Sequence, residues 1–145
     1  MIWGFGSNDD FQLLDNKVEA VRDPISLEQV FEKCQKVKEI YCGRNCSFFL
    51  LEDGTLYSFG QNHCGQLGIG SHERSKKIEA GNEHGIFTGE PLKVRLPTMV
   101  STFSGQFVVL VACGTAHTLV LTSTGSVYAF GCNTSGALGL GRGEL

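Results

Sequence analysis

The sequence contains no run of 18 apolar residues, so it offers no segment long enough for a transmembrane helix. Met1 leads directly into the apolar stretch Ile2 to Phe5, without the charged region or the cleavage site of a secretory signal. Positive charge is scarce too: 12 Lys and Arg against 15 Asp and Glu give a net charge of -3, which provides no basic field for a nucleic-acid backbone. We therefore expect a soluble, unsecreted protein, cytoplasmic or nuclear, that contacts neither a membrane nor nucleic acid directly.

Sequence motifs of the common enzyme classes are also missing. The chain has no P-loop, no nucleophile elbow and no H-E-x-x-H pair. His117 is the only histidine in a patterned context, and its position just after Gly114 in a turn favours a structural hydrogen bond over catalysis. We expect no catalytic residue and no cofactor in this chain, and whether the parent protein is an enzyme stays open.

The six cysteines are compatible with packing, with disulfides or with a metal site. Cys42 and Cys113 lie at equivalent positions of the repeat described next, which favours a repeated role as small buried packing residues. The spacing from Cys42 to Cys46 would suit zinc, but no second pair with regular spacing accompanies it, so we expect no metal. Without an export signal, we expect reduced thiols.

The chain contains an internal repeat. Residues 37–70 and 108–141 align without gaps at an offset of 71, and 13 of the 34 positions are identical. The shared glycines can adopt a positive φ or allow close backbone approach, and the short apolar segments between them have the length and composition of β-strands. A unit this small cannot bury its own apolar faces, so consecutive units must stack. The continuous apolar run of residues 108–113 predicts a strand buried on both faces, with residues 37–42 as its counterpart.

The repeat resembles that of the RCC1 family, whose members are seven-bladed β-propellers. The resemblance rests on an apolar-x-Cys-Gly-x-x-His segment followed by Leu, Gly and Tyr-x-Phe-Gly-x-Asn-x-x-Gly-x-Leu-Gly. Cys46 replaces the usual histidine in one copy, and Ala137 replaces the usual Gln in the other. A weaker match at an offset of 54 aligns Ile2 to Leu13 with residues 56–67, with Phe11 and Leu14 in place of two glycines. The residues that we expect to maintain the repeat are Gly43, Gly54, Gly60, Asn62, Gly65, Gly68, Gly114, His117, Gly125, Gly131, Asn133, Gly136 and Gly139.

We therefore expect an all-β fold: a partial RCC1-like propeller with about two to three blades of antiparallel four-stranded sheet. Residues 1–36 would form an incomplete first repeat and connector, residues 37–107 a full repeat with a loop insertion, and residues 108–145 the start of the next. The spacing of apolar residues after Ser26 predicts a short helix near Ser26 to Lys36. Residues 91–96 resemble the outer strand of a blade. At 145 residues we expect a fragment, or the N-terminal piece of a longer product.

Residues 72–89 form the least repetitive part of the chain. They are polar and of mixed charge, which predicts an exposed loop. The candidate contact residues are Arg74, Lys76, Lys77 and Phe87. Simple disorder is the alternative interpretation.

Two functional hypotheses follow from the resemblance. The first is a protein-interaction module inside a larger multidomain protein such as a HECT-type ubiquitin ligase. The second is a guanine-nucleotide exchange factor for a Ran-type small GTPase, although no exchange residue can be assigned here. In either case the partner is a protein, and missing blades or self-association would cover the exposed edges.

Overall fold

The computed structural model describes residues 1–13, 20–27, 36–70 and 93–140, and within them every extended element is a β-strand. The strands are β1 (Trp3–Gly6), β2 (Val21–Ser26), β3 (Val37–Cys42), β4 (Cys46–Leu51), β5 (Leu56–Gln61), β6 (Lys93–Met99), β7 (Val108–Cys113), β8 (His117–Thr122) and β9 (Val127–Gly131). Among these residues there is also one 3₁₀ turn, Ser101–Phe103. The predicted all-β class is confirmed. No helix in the described residues is long and apolar enough to cross a membrane.

The strands form three antiparallel sheets, of order β1-β2, β3-β4-β5-β6 and β7-β8-β9. The middle sheet is the predicted four-stranded unit, and β6 is its outer strand, a few residues later in the chain than expected. The registers of β4 on β5 and of β8 on β9 correspond at the offset of 71: Cys46 faces Gly60, and His117 faces Gly131. The repeat in the sequence is therefore a repeat in the structure.

An equivalence that the sequence analysis missed relates β2 to β6. Val21 pairs with Gly6 as Val94 pairs with Gly60, which makes β2 the outer strand of the first sheet. The signal was available, because the two strands share Val-Arg-x-Pro at an offset of 73. Proline cannot donate to a strand ladder and is confined to sheet edges, so it suits an outer strand.

The apolar core is one continuous cluster that extends across all three sheets. β4 is buried along its whole length, because it lies between β3 and β5 while its faces are covered by neighbouring elements, including β7. Leu27 joins the cluster from the first sheet and Val120 from the third. Stacking of the units thus buries the faces that one unit leaves open.

Three expectations need correction. β3 and β7 are not buried on both faces: Ile40 is 44% exposed and Leu110 48% exposed, because both strands lie at the inner edge of their sheets. For the same reason Cys42 is exposed and Cys113 only half-buried, rather than small buried packing residues. Ser26 ends strand β2 instead of starting a helix, and the rest of the predicted helix, residues 28–35, lies outside the described residues.

Gly60, near the end of β5, and Gly105 both have a positive φ, but we expect alanine to destabilise the chain much more at Gly60. Gly60 has a φ of +105°, and a Cβ there would lie 2.5 Å from the carbonyl oxygen of Asn45, whereas Gly105 has a φ of +81° with open space around it. We expect Gly60→Ala to lower the free energy of unfolding by about 3 kcal/mol or more, from strain plus a backbone clash. Gly105→Ala carries strain alone, about 1 kcal/mol. Urea denaturation of both variants checks this, and equal losses would contradict it.

Candidate interaction surface

The sheets present two ends that carry different connections. Because the strands alternate in direction, the end that we call the turn end carries residues 7–13, 43–45, 62–70, 114–116 and 132–140. The opposite end, the hairpin end, carries residues 52–55, 100–107 and 123–126. Loops held by a rigid sheet are where binding proteins place their contacts, so these two ends are the candidate surfaces.

At the turn end, one asparagine organises each of three equivalent turns. The side-chain oxygens of Asn8, Asn62 and Asn133 accept hydrogen bonds from the backbone N–H five residues later, at 2.9, 3.1 and 3.0 Å. The carbonyl oxygen of each asparagine accepts a second bond from the residue three positions on. The predicted repeat residues Asn62 and Asn133 thus lie in turns that they hold closed.

Two further positions show how far the turns can vary. Phe11 has a φ of +63° where the equivalent Gly65 has +75°, so the first turn keeps its shape with a residue that rarely adopts this conformation. Gln12 and Gln66 each accept a hydrogen bond from a backbone N–H two residues earlier, both at 2.9 Å. Ala137 cannot make that bond, so the third turn has fewer restraints than the other two.

The turns also join one sheet to the next. The hydroxyl of Ser47 donates to the carbonyl oxygen of Gln12 at 2.9 Å, and the equivalent Thr118 donates to the carbonyl oxygen of Gln66 at 2.9 Å. Lys93 on β6 reaches back to the first turn, where it forms an ion pair with Asp10 at 2.9 Å. We call this contact between a turn and the following sheet the turn seam.

The glycines predicted to maintain the repeat lie mainly in turns and at sheet contacts. Positive φ values occur at Gly54, Gly60, Gly65, Gly68, Gly125, Gly131, Gly136 and Gly139. A Cβ on Gly54 would lie less than 3 Å from the ring of Phe107, which directly precedes β7, and one on Gly68 would lie less than 3 Å from the ring of Phe130 in the third sheet. Gly43 has no positive φ, but it lies against Cys46, Cys113 and Gly114.

His117 and its counterpart Cys46 pack in the same way. A Cβ on Gly114 would lie 2.1 Å from the imidazole of His117, and one on Gly43 would lie 2.6 Å from the sulfur of Cys46. The hydrogen bond at this turn is made by the backbone, since Gly114 N–H donates to the carbonyl oxygen of His117 at 2.8 Å. Burial raises the pKa of Cys46 to about 11. Burial also raises the pKa of Cys113, to about 12. Both thiols are therefore neutral at pH 7.

The hairpin end contains a shallow groove of about 340 Å³. Its floor is apolar, with Leu56, Val100 and Phe103, and its rim includes Asp53 and Gln106. Gln106 accepts a hydrogen bond from the hydroxyl of Tyr128 at 3.1 Å, which ties the groove to the third sheet. Within the described residues, no group of three or more His, Cys, Asp or Glu side chains could hold a metal ion.

The predicted contact residues Arg74, Lys76, Lys77 and Phe87 lie outside the described residues. The residues on either side of that segment, Gly70 and Lys93, both belong to the turn end. Lys93 is held there by Asp10 and by the carbonyl oxygen of Asp9, at 2.9 Å in each case. The two described residues that flank the candidate loop in the sequence therefore both lie at the turn end.

Two family models of the Regulator of chromosome condensation (RCC1) repeat match this chain, one over residues 53–121 and the other over residues 37–66 and 108–137. The chain belongs to the RCC1 repeat family. The similarity includes the turns, since the matched ranges contain Asn62 and Asn133.

Similar proteins differ widely in length. Protein RCC2 homolog of Xenopus laevis is 31% identical over 138 residues, which are 95% of this chain and 23% of the relative. The human X-linked retinitis pigmentosa GTPase regulator is 39% identical over 71% of this chain and 8% of its own. A Dictyostelium discoideum bifunctional serine/threonine-protein kinase/NEDD4-like E3 ubiquitin-protein ligase is 32% identical over 73% of this chain and 5% of its own. The chain thus spans about a quarter or less of these relatives.

Solved structures support the same fold. Yeast RCC1 (Prp20), solved in complex with Kap60, superposes with a TM-score of 0.68 at 24% identity, over 98% of this chain and 30% of that one. At this identity the match establishes the architecture alone. The three sheets are therefore blades of an RCC1-type β-propeller.

Proposed function

We propose that this chain is a protein-interaction module that acts as part of a larger multidomain protein, in the manner of the HECT-type ubiquitin ligases. The observation that supports the proposal is that Gly70 and Lys93, the described residues on either side of the insertion, both lie at the turn end. A long insertion on a rigid scaffold is the usual arrangement of a binding loop. The partner is a protein, and the module acts in the cytoplasm or the nucleus.

The charges of the loop support this choice. Arg74, Lys76 and Lys77 lie close together in sequence, and Phe87 provides one aromatic anchor. Aromatic and arginine side chains contribute most of the energy at many protein interfaces. The same segment carries Glu73, Glu79 and Glu83, and this mixed charge, with a net charge of -3 over the whole chain, suits a protein surface rather than a nucleic acid. The ubiquitin-ligase relative supports a role as one part of a longer protein.

Site-specific cross-linking tests this proposal. We expect a photo-reactive phenylalanine at position 87 to capture a defined protein partner, while the same group at Ser104, which is exposed at the hairpin end, captures none. Replacing residues 72–89 with a Gly/Ser linker should abolish the capture, and Lys76→Glu with Lys77→Glu should reduce it at least about tenfold, which is roughly 1.4 kcal/mol. Lys36→Glu at the hairpin end is the matched charge control. Capture that survives the linker replacement would refute the binding loop.

A second candidate function is nucleotide exchange on a Ran-type small GTPase. It is supported by the relative named a GTPase regulator. The assay is release of a fluorescent GDP analogue from such a GTPase. If the chain accelerates GDP release and still does so after the linker replacement, exchange through another surface of the propeller is favoured. If GDP release is not accelerated but position 87 cross-links to a specific protein, the interaction module is favoured.

A further inference from the structure

The turn of the second sheet receives an aromatic ring from the third sheet. A Cβ on Gly68, in the turn of residues 62–70, would lie 2.8 Å from the ring of Phe130 on β9. The rings of Phe130 and Tyr128 also contact that of Phe103, with centroids 6.4 and 5.2 Å apart. Any side chain at Gly68 would therefore displace the ring of Phe130. We call the space over this glycine the socket.

The third sheet carries the same socket with no ring in it. Gly139 occupies the position of Gly68 at the offset of 71, and the φ values of the two are +70° and +65°. Among the described residues, no atom outside the adjacent positions lies within 4 Å of a Cβ built on Gly139. Leu140 beside it is 41% exposed, whereas its equivalent Ile69 packs against the core. The surface that the second sheet buries against the third is thus repeated on the third sheet, where it is exposed.

The first sheet carries the matching ring. Phe5 on β1 occupies the position of Phe130 on β9, and Trp3 occupies that of Tyr128. Phe5 is 66% exposed and Trp3 53% exposed, whereas the two equivalent rings on β9 are half-buried. Because the rings on β9 point toward the preceding sheet, those on β1 point away from the second sheet. The stack of sheets therefore ends in exposed rings on one side and in an exposed socket on the other.

The composition of the third sheet is that of a covered surface. Residues 96–140 contain no Asp, Glu, Lys or Arg. The equivalent part of the second repeat contains charges of both signs: Lys38, Glu39, Arg44, Glu52 and Asp53. Solvent-facing surfaces are normally rich in charged residues, whereas the cores of protein interfaces are depleted in them. No charge on the third sheet opposes contact with an aromatic ring.

We propose that copies of this chain associate head to tail, with the ring of Phe5 from one copy in the socket over Gly139 of the next. Trp3 then lies against the third sheet of that copy, as Tyr128 lies against the second sheet within one chain. The contact continues between copies the stacking that joins consecutive sheets inside each copy. It is heterologous, because the two surfaces differ. It uses the face of β1 and leaves the edge of that strand free.

Photo-cross-linking of the whole chain at micromolar concentration is the direct test. We expect a photo-reactive phenylalanine in place of Phe5 to link to the peptide that contains Gly139. Mixed isotope-labelled and unlabelled chains show whether the link joins two copies. Gly139→Asn should lower the yield at least about tenfold, because its Cβ obstructs the ring while asparagine tolerates a positive φ. Gly136→Asn is the matched control, because Gly136 lies in the same turn with a φ of +69° and open space around it.

Complementation distinguishes this contact from pairing along the β1 edge. A Gly139→Asn chain keeps the ring and loses the socket, whereas a Phe5→Lys chain keeps the socket and loses the ring. Photo-reactive chains with Gly139→Asn should therefore link to Phe5→Lys chains but not to one another.

Four results would overturn the proposal: no link in the photo-reactive parent chain, a link within one copy, a link to β1 of the other copy, or a link that Gly139→Asn leaves unchanged. The first three need no substitution at Gly139, so they decide the question even where that variant fails to fold. The measurement requires no other protein, so its failure would leave the proposed function untouched.

Discussion

Alanine substitution at three equivalent phenylalanines is expected to give three very different losses of stability. Phe59, Phe130 and Phe5 occupy the same position of the repeat at the end of β5, β9 and β1. Phe59 is 1% exposed, Phe130 is half-buried and Phe5 is 66% exposed. We expect Phe59→Ala to lower the free energy of unfolding by about 3–5 kcal/mol, the range for a buried aromatic residue. Phe5→Ala should change it by less than about 0.5 kcal/mol.

The neighbours of each ring explain the expected order. Phe59 packs against Phe49 with ring centroids 5.0 Å apart, in a sheet that has strands on both sides of β5. Phe130 contacts Phe103, with ring centroids 6.4 Å apart, from β9, which pairs only with β8 among the described strands, and its loss should be intermediate. Urea denaturation followed by circular dichroism ranks the three variants. A loss at Phe5 as large as that at Phe59 would show that β1 is covered by something beyond the described strands.

The fold could be predicted because the repeat appears twice in the sequence. Glycines such as Gly60 and Gly131 recur where backbone atoms leave no room for a Cβ, so their spacing records the turn geometry directly. The Asn62 turn was predicted for a similar reason, since the hydrogen bonds of Asn62 lie within six consecutive residues. Local geometry of this kind leaves a local pattern, which a single sequence displays.

Contacts between sheets leave no such pattern. The apolar run of residues 108–113 is typical of a buried strand, yet Leu110 is exposed because β7 is an edge strand, and strand order is a property of the whole fold. The close approach of Gly68 to the ring of Phe130 was likewise not predicted, because it depends on how two repeats stack. The first turn gave only a weak match because Phe11 takes a conformation for which the pattern expects glycine, and the outer strand β2 of the first sheet was missed although it shares Val-Arg-x-Pro with β6.

Self-association of the isolated chain is the second large effect that we expect. Among the described strands, β1 pairs only with β2, whereas the equivalent β5 pairs with strands on both sides. The open edge of β1 lies beside Trp3, 53% exposed, and Phe5, 66% exposed. An uncovered strand edge with apolar side chains is a template for pairing with another chain. Sedimentation at micromolar concentration should therefore give species larger than the 15.7 kDa monomer.

Lysine substitutions at two equally exposed residues test whether the β1 edge causes the self-association. Phe5 on β1 and Leu96 on β6 are both 66% exposed, but β6 carries Pro97 and two basic residues that block further pairing. Phe5→Lys should return the chain to a monomer, because a charge on an edge strand opposes pairing. Leu96→Lys adds the same charge and should leave the association unchanged. A parent chain that is monomeric and melts sharply would contradict the prediction. Equal effects of the two variants would assign the association to general surface hydrophobicity instead of the β1 edge.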